Sequence, residues 1–318
     1  MKKTLLALAI VATATSVNAA EIYNADGSSL ELTGRAFAII ETTKTKATGT
    51  DTDAHAYDSR LGFKVRHQVT EGAAAVGKFE FQLSEGEDYG LKNRDAYAGL
   101  DFTDVGTFTF GRQTTSFDDL GFRGGFDEYY GFSQDLEDRG RENGIVKFQT
   151  ANFSGFVGSA SYQFAEENDA GNDVTGTTLV GSYDSDFGLG LSLAYFDYKE
   201  ASVKDHATGF NLAADYAFGD AKVGFDYGSQ EDNSKTEKDA YRLGGEYNLD
   251  AYRLYAGYGN VDTKAHLSST TVSNDGFYAG VAYAFGAKTT IFAEVASYDA
   301  EGDSSDSDML ALGMNVAF

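Results

Sequence analysis

The sequence predicts an all-β protein: a 16-stranded antiparallel transmembrane β-barrel with an inward-folded third loop. Three observations predict it. Apolar and polar residues alternate with period two along most of the chain. The connections between alternating segments divide into a short set and a long set that take turns. The faces that would point inward are polar and charged over their whole length.

The first 19 residues stand apart from this pattern. Lys2 and Lys3 give a positive start, residues 4–14 form a short apolar run, and Val17-Asn18-Ala19 offers small residues for cleavage. Residues 1–19 therefore read as a removable export signal peptide, and residues 20–318 as a single barrel domain. The run is too short for a permanent membrane helix, and nothing after it approaches the ~20 apolar residues such a helix needs. A mean hydropathy of −0.34 would ordinarily argue against membranes. A barrel escapes that inference because only every second residue of each strand meets lipid.

Composition narrows the class further. The chain has no Cys, which excludes disulfides and thiol chemistry and suits an oxidising extracytoplasmic compartment. It has no Pro, as expected where every strand has two paired neighbours. With no Trp, any interfacial aromatic belt must be built from 20 Tyr and 24 Phe. The 49 acidic residues against 25 basic ones give a net charge of −24, which deepens to −26 once Lys2 and Lys3 leave with the leader. That balance excludes nucleic acid as a partner, since binding it needs clustered positive charge. Dense alternation and 14% aromatics exclude a disordered acidic chain.

The strands are clearest in the second half. Phe210, Leu212, Ala214, Tyr216 and Phe218 alternate with polar or small residues, as do Val223, Phe225 and Tyr227, and Tyr241, Leu243, Gly245 and Tyr247. Tight connections fall near 71–72, 104–106, 152–155, 184–188, 219–220, 248–250 and 286–287. Long polar ones are expected at 43–54, 84–92, 113–142, 166–173, 200–206, 230–239, 260–276 and 299–307. Fifteen connections make sixteen strands, and the even number returns both termini to the short-turn side. A soluble sandwich would have to bury either the apolar face or the one carrying Arg35, Arg60, Lys64, Arg66, Lys78, Glu80, Asp215, Asp226, Arg242, Glu246, Arg253 and Glu294. Lipid on one side and a water-filled lumen on the other satisfy both.

The third long connection exceeds the length at which a loop is merely a link. It carries eight acids against three bases, together with Leu120, Phe122, Phe126, Tyr129, Tyr130 and Phe132. Six large apolar groups suit a loop that folds inward and packs on the wall. Enzyme chemistry finds no support: there is no Gly-x-Ser-x-Gly and no His-Glu-x-x-His. His55, His67, His206 and His266 are scattered, so no metal site and no cofactor are expected.

Several segments resemble the general, non-specific trimeric porins of Gram-negative outer membranes. These are Ala20-Glu21-Ile22-Tyr23-Asn24 with Asp26-Gly27, Leu32-Thr33-Gly34-Arg35, Arg60-Leu61-Gly62-Phe63-Lys64, Arg94 leading into Ala98-Gly99-Leu100, and Asp104-Val105-Gly106 followed by Phe108 and Gly111-Arg112. The terminal Phe318, behind Leu310, Leu312, Met314 and Val316, resembles the membrane assembly signal of outer-membrane barrels. The resemblance implies a homotrimer in the outer membrane, among lipid and lipopolysaccharide, passing small hydrophilic solutes and ions by passive diffusion. It also implies a pore constriction: a basic wall of Arg35, Arg60, Arg94 and Arg141 opposite acids on the third loop. The family's Pro-Glu-Phe-Gly-Gly loop motif is absent here, and residues 121–130 read Gly-Phe-Arg-Gly-Gly-Phe-Asp-Glu-Tyr-Tyr. The acids implied are Asp118, Asp119, Asp127 and Glu128, with Arg123 set among them. A surface of −26 favours mild cation preference. The competing readings are a substrate-specific channel, expected to show an aromatic track beyond Phe37, Tyr255, Tyr278 and Phe292, and a barrel adhesin with little conductance.

Overall fold

The computed structural model describes residues 20–46, 48–83, 90–134, 136, 140–167, 173–300 and 306–318. Residues 1–19, where the sequence suggests a leader, lie outside them, as do the loop residues Asp135, Glu137, Asp138 and Arg139. The described strands are β1 (Ala20–Ala25), β2 (Ser28–Thr45), β3 (Gly49–Ala56), β4 (Arg60–Thr70), β5 (Ala73–Leu83), β6 (Leu91–Phe102), β7 (Gly106–Thr114), β8 (Arg141–Thr150) and β9 (Phe156–Glu167). They continue as β10 (Asp173–Asp184), β11 (Leu189–Glu200), β12 (Ala207–Phe218), β13 (Ala221–Glu231), β14 (Glu237–Leu249), β15 (Tyr252–Lys264), β16 (Val272–Ala284), β17 (Thr289–Ala300) and β18 (Ser307–Ala317). One short helix, α1 (Ser116–Leu120), opens the third loop.

These segments form one closed antiparallel wall of sixteen strands. β3 and β4 are two halves of a single wall strand, because both pair with the same edge of β2, from Thr45↔Gly49 to Ser28↔His67. The break between them is the stretch Tyr57-Asp58-Ser59, with Asp58 at φ +44°. On the other edge of β2, β18 runs from Ser307↔Thr45 to Ala317↔Arg35, and the Phe318 amide donates to the Gly34 carbonyl at 3.0 Å. β1 takes over that edge at Ala20↔Leu32. The first and last strands thus abut end to end, and closing the cylinder leaves no open wall edge in the membrane.

Facing follows the alternation. Leu61, Phe225, Leu243 and Leu312 are 44%, 43%, 55% and 50% exposed on the outer surface. Their lumenal neighbours Asp226 and Glu294 are almost completely buried. Two long connections are shorter than expected: residues 43–45 and 49–54 belong to β2 and β3, and 260–264 and 272–276 to β15 and β16. β2 and β3 pair as a hairpin as far as Thr45↔Gly49, with Thr42 Oγ1 and Thr52 Oγ1 3.0 Å apart. Threonines alternating along this polar stretch favour strand beyond the hydrocarbon layer as well as within it.

Candidate functional site: the lumenal charge clusters and the third loop

The third loop lies against the lumenal face of the wall. Thr115 caps α1 by accepting the Asp118 amide, and Ser116 bonds Ser159 and Ser161 of β9. Phe117, Leu120, Phe122 and Leu136 pack with Val180, Ala194 and Phe196. Further along, Phe126, Tyr129, Tyr130 and Phe132 pack with Phe37, Tyr255, Tyr278 and Phe292. Burying each such side chain stabilises by roughly 1.5–3 kcal/mol, so the loop is held by its own apolar core. The four inward aromatics of the wall are the floor of that core and do not form a solute track.

Backbone contacts seat it more closely. Gly224 and Gly244 are cross-strand partners on β13 and β14. A Cβ on Gly224 would stand 2.3 Å from the Arg123 carbonyl oxygen, and one on Gly244 would stand 2.6 Å from that of Gly124. Two wall carboxylates then receive the loop's amides. Asp226 accepts from the amides of Arg123 at 2.7 Å and Gly124 at 2.8 Å, and from Arg242 Nη2 at 2.6 Å. Glu294 accepts from the amides of Glu128 at 2.9 Å and Tyr130 at 2.6 Å and from the Tyr255 hydroxyl at 2.7 Å. Buried carboxylates are tolerable only when so partnered.

The four arginines of the implied basic wall stand together on β2, β4, β6 and β8. Arg35 and Arg60 are directly opposite across the ladder, an arrangement that is unfavourable on its own. Asp58 relieves it. Its carboxylate takes the Arg60 Nε at 2.7 Å and one further nitrogen from each arginine, while its carbonyl takes the Arg35 Nε at 3.0 Å. Arg94 lies 3.5 Å from Asp58 and donates to Glu80 at 2.8 Å and Gln82 at 2.7 Å. Arg141 and Lys78 share Asp95, each at 2.5 Å, and Lys78 reaches Glu80 at 3.0 Å. The wall arginines therefore find their carboxylates on the wall itself.

The loop acids are dispersed. Asp118 and Asp119 lie in the first turn of α1, and Asp119 meets Lys147 of β8 at 2.5 Å. The Asp127 carboxylate packs over Gly131, which turns the chain at φ +54°. Glu128 pairs with Arg253 of β15, which also holds Glu246 and the Phe126 carbonyl, both at 3.0 Å. Burial pushes the Glu128 carboxyl above the usual carboxylate range, and Glu294 and Asp127 add to this against the pull of Arg253. Arg123 turns to the wall and binds Asp184 at 2.7 Å and Asp215 at 2.6 Å. Burial disfavours its charge, but the two carboxylates outweigh that and hold the guanidinium above its ordinary value.

Asp58 was not legible as a site residue from its neighbours in sequence, since its role comes from strands that meet only in the fold. The only local signal was an acid beside Arg60 where alternation breaks. Among the described residues no cluster of three or more potential metal ligands occurs. His67 bonds Ser28 at 2.7 Å and His206 bonds Asp197 at 2.6 Å.

Comparison with known proteins agrees with this architecture. The sequence is 27% identical to a major outer membrane protein of Pasteurella multocida over the full length of both chains. It is 32% identical to outer membrane protein U of Vibrio parahaemolyticus, over 87% of this chain and 86% of that one. With the outer membrane porin F of Escherichia coli it shares 32% identity over 61% of this chain and 59% of the relative. Among solved structures, a loop L8 deletion mutant of the Vibrio cholerae outer membrane protein OmpT superposes with a TM-score of 0.76, at 24% identity, over 92% of this chain and all of that one. An anion-selective porin from Comamonas acidovorans gives 0.75 at 18% identity, over 92% of this chain and all of that one. Those two likenesses speak to fold alone. The Gram-negative porin family matches residues 5–303, and with a closed sixteen-stranded wall behind that match, this chain belongs to the Gram-negative porins of the outer membrane.

Proposed function

We propose that the chain forms a water-filled channel for passive diffusion of small hydrophilic solutes and ions, with a modest preference for cations, and that it does no enzymatic chemistry. Family membership supports the channel. The observation that carries the preference is the pairing of Arg35, Arg60, Arg94 and Arg141 with wall carboxylates at Asp58, Glu80 and Asp95. Three carboxylates offset part of the charge of the four guanidinia and of Lys78, which shares Glu80 and Asp95 with them. The basic wall therefore repels cations less than four bare arginines would, while a strongly negative surface draws them to the mouth. The reading keeps Arg35, Arg60, Arg94 and Arg141 as the basic side of the constriction and Asp118, Asp119, Asp127 and Glu128 as acids of its loop side. It also takes residues 1–19 as a removed leader, Phe318 as the assembly signal, a homotrimer as the working form, and lipid with lipopolysaccharide as its surroundings.

The test is the reversal potential across a planar bilayer in a potassium chloride gradient. A modest potassium preference is expected, and chloride preference overturns the assignment. The same fold serves an anion-selective porin, so the outcome depends on these side chains and not on the barrel. Absence of stepwise conductance would favour an adhesin instead.

A further inference from the structure

Toward the short-turn end of the lumen, the inner wall from β2 to β7 encloses a cavity of about 320 Å³ lined by Glu31, Lys64, Arg66, Lys78, Tyr97 and Asp101, among others. Four strand positions separate Lys64 from Arg60, which sets the cavity roughly 13 Å from the arginine cluster. Most of its charges are already matched. Arg66 meets Asp101 at 2.6 Å, and Lys78 meets Asp95 at 2.5 Å and Glu80 at 3.0 Å. Glu31 and Lys64 differ. They are direct cross-strand partners on β2 and β4, yet among the described residues neither forms an ion pair with the other or with a third group.

We propose that this cavity is a second solute station, holding small zwitterions of the α-amino acid type, with the solute carboxylate on the Lys64 ammonium and the solute ammonium on the Glu31 carboxylate. The proposal rests on the channel reading and adds a substrate class to it. A simple anion or cation entering here meets one attractive group and one repulsive one, whereas a zwitterion satisfies both. The Arg66–Asp101 pair beside it adds little field of either sign. An exposed contact between Glu31 and Lys64 themselves would gain little, so a solute that enters between them displaces little.

Single-channel recording of the native protein tests this, with glutamine, acetate or ethylammonium added in turn to either side. Glutamine is expected to produce brief current interruptions whose frequency saturates with concentration, while acetate and ethylammonium produce none. Glu31→Gln and Lys64→Gln should each weaken glutamine association about tenfold, the loss of one charge-assisted contact. The exchanged double variant, Glu31→Lys with Lys64→Glu, should restore it with the solute reversed. Interruptions by acetate equal to those by glutamine would make this an ordinary anion site and overturn the proposal. So would a native channel that conducts without glutamine interruptions, or a double variant no better than the singles. A native protein that never conducts fails the channel reading itself, a different result from a conducting channel without the station. Unaltered unitary conductance in the variants shows that the barrel has assembled.

Discussion

Glu294 on β17 accepts the backbone amide of Tyr130 in the third loop at 2.6 Å, joining a wall carboxylate to a segment far away in the chain. The same carboxylate takes the Glu128 amide and the Tyr255 hydroxyl. Glu294→Gln keeps the size but loses the charge and one acceptor. It should destabilise the seated loop by about 1–3 kcal/mol, the range for losing charge-assisted bonds at a buried site. Open-channel current should become noisier, and a quiet variant trace would mean that the apolar contacts alone hold the loop.

The glycine pair under the loop leads to a steric prediction. Gly244→Ala places a methyl 2.6 Å from the Gly124 carbonyl oxygen, so the loop must lift toward the lumen. Overpacking of this kind costs about 1–3 kcal/mol. Unitary conductance should fall while the barrel still assembles, as checked by bilayer recording beside heat-modifiability on gels. Unchanged conductance would show that the wall yields instead of the loop.

Asp58 sets the balance of the basic wall. Asp58→Asn leaves Arg35 and Arg60 facing each other across the ladder with their shared counter-charge gone. Reversal potentials should move toward anions. Arg60→Ala or Arg94→Ala should move them the other way, and no movement in either direction would make these side chains purely structural.

The raised Glu128 carboxyl fixes the sign of a pH effect. Its folded-state value lies above its unfolded one, so its own contribution to loop stability is present in acid and is lost as pH rises through the folded value. On acidification Glu128 also loses its charge before an ordinary carboxylate does. Cation preference should therefore begin to decline at a pH above the normal carboxylate range, and Glu128→Gln should remove that early part of the titration. A titration identical in native and variant channels would count against it.

The outward face carries a prediction of its own. Lys in place of Phe225, which is 43% exposed and flanked by lipid-facing partners, should cost about 2–4 kcal/mol at mid-bilayer depth. Reversible unfolding in detergent or lipid measures it, and full native stability would contradict the facing.

Facing and strand number were legible because a two-residue period reports on one strand at a time. Leu243 and Arg242 reveal their sides without knowledge of any neighbour. The apolar content of residues 120–132 likewise announced a loop that packs. What could not be read depends on register between strands distant in the chain. Asp58 gains its role only once β2 sets Arg35 against Arg60. Glu128 finds Arg253, and Asp119 finds Lys147, because the loop docks at one particular height. The end of the first hairpin differs from the sequence expectation for a simpler reason: a polar stretch reads as loop, but the threonines of residues 43–52 pair as strand.

The meeting of β1 and β18 on one edge of β2 imposes an order on biogenesis. Neighbouring strands elsewhere in the wall are also neighbours in sequence and can pair as they arrive, but this last joint needs both extremities of the polypeptide together. Until then β2 and β17 each present a row of unsatisfied amides and carbonyls, which hydrocarbon does not tolerate. A partly delivered chain therefore needs protection outside the bilayer until the final strand arrives, and insertion becomes favourable only as that joint forms.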